Sequence, residues 1–239
     1  KVKKIITVSH FAKTELVENL KIPAEKIVTI YNGVGEKFKP QPLDQQTTFR
    51  SYKGLPERYI LALGSIGKNK NYLRLLRAWE LLAGEVHMQN VFLVIAGGIA
   101  DPQAAYALTE LSARLPRVLI IGYIEEESLP QLYSGAEALI HPSLYEGFGL
   151  PPLEAMACGA PVIISKAASL PEVVGDAGMY FDPYDIEDIA RCIYNVLADK
   201  RLQHNLLLQG LERAKLFNWE KSARETLMVL KAAASDKRS

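Results

Sequence analysis

The sequence predicts an α/β protein built on a doubly wound parallel sheet, with helices on both faces and more helices at its C-terminal end. Three observations carry the prediction. Six short runs between Tyr59 and Phe181 are apolar at nearly every position, so they read as strands buried on both faces. Helical periodicities alternate with them. The chemically unusual residues come just after strands, on the edge where open parallel sheets bind ligands.

Composition bounds the rest. At 239 residues the chain suits one large domain or one and a half small ones, and its 49% hydrophobic and 8% aromatic content supplies an ample core. With 28 basic against 27 acidic residues the net charge is +1, which argues against nucleic-acid binding and strong membrane attraction. Any anion site must therefore be local. Cys158 and Cys192 lie in helical patterns without CxxC spacing, so they read as core residues of a reducing, cytoplasmic setting. No apolar run approaches the ~18 residues of a membrane span. The opening KVKKIITVS is too briefly apolar for a signal peptide and lacks an initiator Met, so the chain is expected to continue something longer.

In chain order, Ile5 to Val8 reads as a buried strand and Ser9 as the N-cap of a helix with Phe11, Leu16, Val17 and Leu20 on one face. Ile27 to Tyr31 is a second strand, ended by the Asn32-Gly33 turn. His10, just past the cap, reads as a surface residue. Glu36 to Pro56 carries Pro40, Pro42, Pro56 and a polar tract without period, so it reads as a linker with a domain boundary near Pro40 to Leu43. Strands are then expected at Tyr59 to Leu63, Val91 to Ala96, Val118 to Ile121, Ala138 to Ile140, Val162 to Ile164 and Met179 to Phe181. Helices are expected at Tyr72 to Leu82, Gln103 to Leu115, Leu129 to Ser134 and around Glu154. Beyond Asp182-Pro183 come helices at Ile186 to Leu197, Asp199 to Phe217 and Trp219 to Ala234, with fraying from Ala233 to Ser239.

The stretch LIHPSLYEGFGLPPLEAMACGAPVIIS, residues 139–165, reads as strand, loop, helix, strand. Pro151 and Pro152 suit the opening of a helix and Gly159 a left-handed C-cap. That puts Glu146 in the loop and Glu154 in the first helical turn, flanking backbone N–H groups that still need partners. Such a place suits a polyhydroxylated, anionic ligand, although a first-turn glutamate is favoured by the helix dipole in any case. His141, before Pro142-Ser143, reads as packing or a rim contact. The turn Gly64-Ser65-Ile66-Gly67-Lys68-Asn69-Lys70-Asn71 brings glycines and lysines to a helix start, where a phosphate is favoured, yet it lacks P-loop spacing. Gly97 and Gly98 allow close backbone approach after the next strand.

The motif EGFGLPPLEAMACGAPVI resembles the donor-sugar motif of retaining glycosyltransferases of the GT-B fold, particularly the large family 4, which includes many mannosyl- and glucosyltransferases. GSIGKNKNYLRLLRAW is similar to the family's GxxxxxKN segment, whose basic residue binds the donor diphosphate; Lys70 matches it. Many members also carry an arginine there. This chain has Ser65 and Asn69 at the candidate positions and Lys68 as the available second cation. Gly122-Tyr123-Ile124, before Glu125, Glu126 and Glu127, resembles the part whose backbone bonds the nucleobase. VSHFAKTELVENLKIPAEKIVTIYNGV resembles the segment closing the N-terminal half, with Asn32 and Gly33 lining the interdomain cleft. FNWEKSARETLMVL resembles the terminal helix that crosses back onto that half, burying Leu227, Val229 and Leu230.

The resemblance, which runs from Val8 to about Leu230, implies a Rossmann-like C-terminal half of a GT-B fold. Residues 1–40 would be the closing segment or linker, 41–218 the donor domain and 219–239 the crossing helix. It implies that Lys70 meets the departing diphosphate and Glu154 the ribose hydroxyls. Glu146 and the amides of Phe148, Gly149 and Leu150 would hold the sugar, with Ser143 and Gly147 beside them. A GDP- or UDP-linked sugar is then substrate, with no cofactor, no metal and no covalent nucleophile, and the acceptor attacks from the front face. LYEG with EGFGLPPLEAMACG is similar to mannosyltransferases that use GDP-mannose. The acceptor, a glycan or a lipid-linked molecule, would sit on the N-terminal half, which also leaves room for peripheral contact at the cytoplasmic face of a membrane. The chain alone would bind donor and transfer little. A non-catalytic nucleotide-sugar module and a GT-B nucleotide-sugar 2-epimerase are the alternatives.

Overall fold

A computed structural model describes residues 2–235. A small parallel pair comes first: β1 (Ile5–Thr7), α1 (His10–Leu20) and β2 (Ile27–Thr29), with β1 beside β2. Ser9 caps α1, its Oγ accepting from the Ala12 amide at 3.0 Å. The expected linker instead contains α2 (Leu43–Lys53). Only Phe49 is buried on this polar helix, which leaves too few apolar residues to show a period.

The main body then alternates as expected: β3 (Arg58–Leu63), α3 (Tyr72–Leu81), β4 (Val91–Ala96), α4 (Pro102–Ser112), β5 (Val118–Gly122), α5 (Leu129–Ser134) and β6 (Ala138–His141). After these come α6 (Leu150–Ala157), β7 (Val162–Ser165), α7 (Leu170–Val174) and β8 (Gly178–Phe181), then α8 (Ile186–Ala198), α9 (Lys200–Ala214) and α10 (Trp219–Ser235). The six main strands form one all-parallel sheet in the order β5-β4-β3-β6-β7-β8. The first of them, β3, is central; the chain winds outward to β5, returns to β6 on the other flank of β3, and winds out again to β8. The strand order therefore reverses between β3 and β6, paired through Ile60 with Ala138 and Leu61 with Leu139. At such a switch point the loops after two neighbouring strands diverge and leave a crevice.

Side-chain alternation along β3 separates two cores. Tyr59, Leu61 and Leu63 join the layer under α5 and α6, while Ile60 and Ala62 join the layer under α3 and α8. Both faces are covered, hence the uninterrupted apolar runs. Cys158 and Cys192 sit in these two layers, and burial pushes their thiols up to about 12 and about 11.

The two ends of the described chain pack on one another. Gly33 is buried against the Asn218-Trp219 backbone, where an added Cβ would lie 2.2 Å from the Trp219 nitrogen, because Val34 bridges Asn218. It joins the first segment to the start of α10. On α10, Leu227 and Leu230 are exposed and Val229 is half-buried; the helix is held to the small unit by polar bonds, Ser222 Oγ to the Tyr31 carbonyl and Lys3 Nζ to the Ala233 carbonyl. Residues 233–235 are helical, and the fraying expected after them lies outside the described residues.

Candidate functional site

The loops after β3 and β6 meet at the switch point. Gly64 leaves β3 at φ +149°, a region open to glycine, and a short helical turn over Lys68–Lys70 leads into α3. The Leu144 amide donates to the Asn69 carbonyl at 2.8 Å, tying the two loops together. Asn71 is buried at φ +57°, with its Nδ2 donating to the Pro183 carbonyl and its Oδ1 accepting from Arg74. With the turn so anchored, Lys70 reaches across and its Nζ lies 2.5 Å from Glu146 Oε1.

His141 is the third member. It is 1% exposed at the end of β6, with Nε2 3.1 Å from Glu146 Oε1 and 3.2 Å from Ser143 Oγ. Burial pushes its pKa down against the raising effect of the Glu146 hydrogen bond, and the Lys70 cation adds to the lowering; because an ionised carboxylate can only accept, Nε2–H is the donor in that bond. The residue is thus neither a rim contact nor plain packing. Burial alone would raise Glu146, but the hydrogen bonds from His141 and Lys70 hold its carboxyl at about 2. The loop is anchored by Phe148, which packs on Tyr31 and Phe217 with ring centroids 6.1 and 5.9 Å away.

Glu154 lies in the second turn of α6, not the first. The helix begins at Leu150, with Gly149 at φ +112° as its N-cap, so Pro151 and Pro152 occupy the first turn. Its Oε2 accepts from the Tyr133 hydroxyl at 2.8 Å. Burial raises the Glu154 carboxyl to about 7, against the lowering effect of that bond, and the nearby Glu126 raises it further. Glu126 itself pairs with Lys37 at 2.6 Å. One carboxylate at this edge is thus firmly ionised and the other is poised near neutrality.

The remaining expected residues divide. Gly64 and Gly97 are in backbone contact: a Cβ on Gly97 would lie 2.1 Å from the Gly64 carbonyl oxygen. Gly98 has open space, Ser65 and Tyr123 are exposed, and Ile124 turns its side chain into the core. Ser143 is wholly buried, so it supports His141 and the Ser165 hydroxyl from below and offers nothing to a ligand. Lys68 does not join Lys70 at Glu146. It is exposed and lines a cavity of about 840 Å³ between α3 and α4, whose lining includes neither Lys70 nor Glu146. His10 is on the surface as expected. Tyr133 and His141 are the partners that sequence reasoning missed, since no spacing rule connects them to the two glutamates.

Residues 44–212 match the family model described as glycosyl transferases group 1. The chain belongs to the group 1 glycosyl transferases. As a group 1 chain it is 36% identical over 230 residues to the O-antigen chain mannosyltransferase B of Escherichia coli, a match covering 96% of this chain and 60% of that protein. Among solved structures, a glycosyltransferase from Rickettsia africae shares the fold of this group 1 chain with a TM-score of 0.88 at 24% identity, covering 99% of this chain and 64% of the other. Anabaena HepE, solved with UDP and glucose, shares it with a TM-score of 0.86 at 22% identity, covering 96% and 63%. The chain thus spans about three fifths of the length of these relatives. Among the described residues of this group 1 member, no helix is long and apolar enough to cross a membrane.

Proposed function

We propose that this chain is the donor-binding portion of a retaining, metal-independent hexosyltransferase of GT-B family 4, working at the cytoplasmic side of a membrane or in the cytoplasm. It takes a sugar from a GDP- or UDP-linked donor for transfer to a glycan, lipid-linked or other acceptor held by the rest of the protein. The observation that carries this reading is the contact between Lys70 and Glu146 at the β3/β6 switch point. The E. coli mannosyltransferase supports mannose as the sugar. Anabaena HepE, whose structure holds UDP and glucose, supports a nucleotide sugar as the donor.

In this reading the diphosphate lies at the Gly64–Lys70 turn and meets Lys70, whose charge is balanced by Glu146 in this structure. Bond cleavage puts growing negative charge on the leaving diphosphate and positive character on the sugar. A lysine ~4 Å from the departing phosphate offsets about 4 kcal/mol at an effective dielectric near 20. As Lys70 turns to the phosphate, Glu146 becomes free to accept a sugar hydroxyl, with His141 holding the carboxylate in place. Glu154 accepts the ribose hydroxyls, and the backbone of Tyr123 and Ile124 meets the base. Lys70 and the loop amides carry the anion without a metal. The acceptor attacks from the front face, and the chain alone binds donor but transfers little.

Calorimetric titration of the full-length protein against GDP-mannose, UDP-glucose and ADP-glucose tests the proposal. Saturable one-site binding of a GDP or UDP sugar is expected, and binding of none of the three sinks it. Lys68 lines the α3–α4 groove and makes no ion pair with Glu146 among the described residues, which favours one competing reading, a binding module without catalysis. Lys70→Ala separates the two, because an enzyme loses turnover and a binder loses affinity alone.

A further inference from the structure

We propose that Ser9 and Ser169 are positioning residues that build the sugar-binding amides of the Glu146–Leu150 loop; the proposal rests on the donor-site reading above. Both serines are wholly buried. Ser169 occupies the N-cap position of α7, yet its side chain makes no capping bond there. Its hydroxyl is turned to the loop, 2.8 Å from the Glu146 carbonyl and 2.9 Å from the Phe148 carbonyl. Ser9 caps α1 by accepting from Ala12, and at the same time donates to the Gly147 carbonyl at 2.7 Å. Three successive carbonyls are therefore held by two hydroxyls.

In a planar trans peptide, C=O and N–H point in opposite directions. Holding those carbonyls toward the serines turns the amides of Gly147, Phe148 and Gly149 the other way. These amides, and that of Leu150 in the first turn of α6, have no hydrogen-bond partner among the described residues. Each of these amides is a donor whose direction is set by the serine holding the carbonyl of the same peptide, suited to the oxygens of a bound hydroxylated ligand. The two serines come from different parts of the fold. Ser169 belongs to the main body, while Ser9 opens the α1 helix of the small unit. Glu172 of α7 docks that helix by accepting from the His10 and Phe11 amides at 2.6 and 3.1 Å. The donor loop is thus completed only when the first segment is docked.

The test uses full-length protein with Ser169→Ala, Ser9→Val and Ser9→Thr, titrated with whichever of GDP-mannose and UDP-glucose the wild type binds, and with the matching GDP or UDP. Ser169→Ala and Ser9→Val are expected to bind the nucleotide sugar about tenfold more weakly and the nucleoside diphosphate as the wild type does. Ser9→Thr, which keeps a hydroxyl, restores sugar-nucleotide binding. The inference is overturned if both ligands weaken together, if neither weakens, or if Ser9→Thr behaves like Ser9→Val. Should Ser169→Ala fail to fold, the Ser9 pair decides alone. A wild type that binds neither nucleotide sugar removes the donor-site reading itself, a different result from any of these.

Discussion

The Nζ of Lys70 and the Oε1 of Glu146 lie 2.5 Å apart between the loops after β3 and β6, in side chains that are 14% and 16% exposed. At that depth the pair is unlike a solvated surface salt bridge, since either partner left alone would be a poorly hydrated charge. A ligand that replaces one partner must bring charge of the same sign. For Lys70 to let go of Glu146, the arriving group must be anionic, which a diphosphate is.

In the proposed mechanism, replacing Lys70 with Ala removes the charge that meets the leaving group. Turnover by the full-length enzyme is expected to fall about a thousandfold, the rate equivalent of about 4 kcal/mol. Steady-state kinetics at saturating donor, with circular dichroism as the folding control, measure it. A fall of less than about tenfold would remove Lys70 from the transition state.

If Glu154 holds the ribose as proposed, donor binding and stability respond to pH in opposite directions. Its carboxyl is raised to about 7 from the ordinary 4.5, mainly by burial, so between those values the folded protein binds more protons than the unfolded chain. Stability from this residue is therefore full at low pH and is lost as pH rises toward and past 7. Ribose hydroxyls donate best to an ionised carboxylate, so the proposed contact predicts that donor affinity rises over the same interval. Glu154→Gln is expected to flatten both trends, as read by thermal melts and calorimetry between about pH 5 and 8.

Glu146 has the reverse sign. Held at about 2, it gives stability that is complete above the ordinary 4.5 and is lost as pH falls toward 2. Acid unfolding of Glu146→Gln is expected to begin from lower stability and to show a shallower loss over that window. Identical acid profiles for the variant and the wild type would contradict the assignment.

Adjacent glycines after β4 should differ sharply. Gly97 sits at φ +143° with the Gly64 carbonyl where its Cβ would go, while Gly98 has open space. Gly97→Ala is expected to destabilise by at least ~2 kcal/mol and to disturb the Lys70 turn, whereas Gly98→Ala stays within about 0.5 kcal/mol. Denaturant melts of the two variants provide the comparison.

Much of this architecture is legible in the sequence because buried parallel strands leave a strong mark: Val91–Ala96 cannot be read as half-solvated, and each such run ends at a glycine or polar turn. Lys70 and Glu146 stand out for the same reason, being charges just past apolar runs. α2 escapes because a helix that buries only Phe49 has no stripe, and α7 because five residues are too few to show a period. Glu154 falls beyond the first turn because α6 starts at Leu150, one residue before the prolines that the sequence suggests as its opening. The roles of His141, Tyr133, Ser9 and Ser169 depend on contacts between distant segments, and no local pattern encodes those.

The most direct measurement is a crystal structure of the full-length protein soaked with GDP or UDP. The predicted result is a diphosphate within ~4 Å of Lys70 Nζ, in the crevice between β3 and β6, with the nucleoside toward Glu154 and Tyr123. A nucleotide seated instead in the groove between α3 and α4, touching Lys68 but not Lys70, would contradict the account.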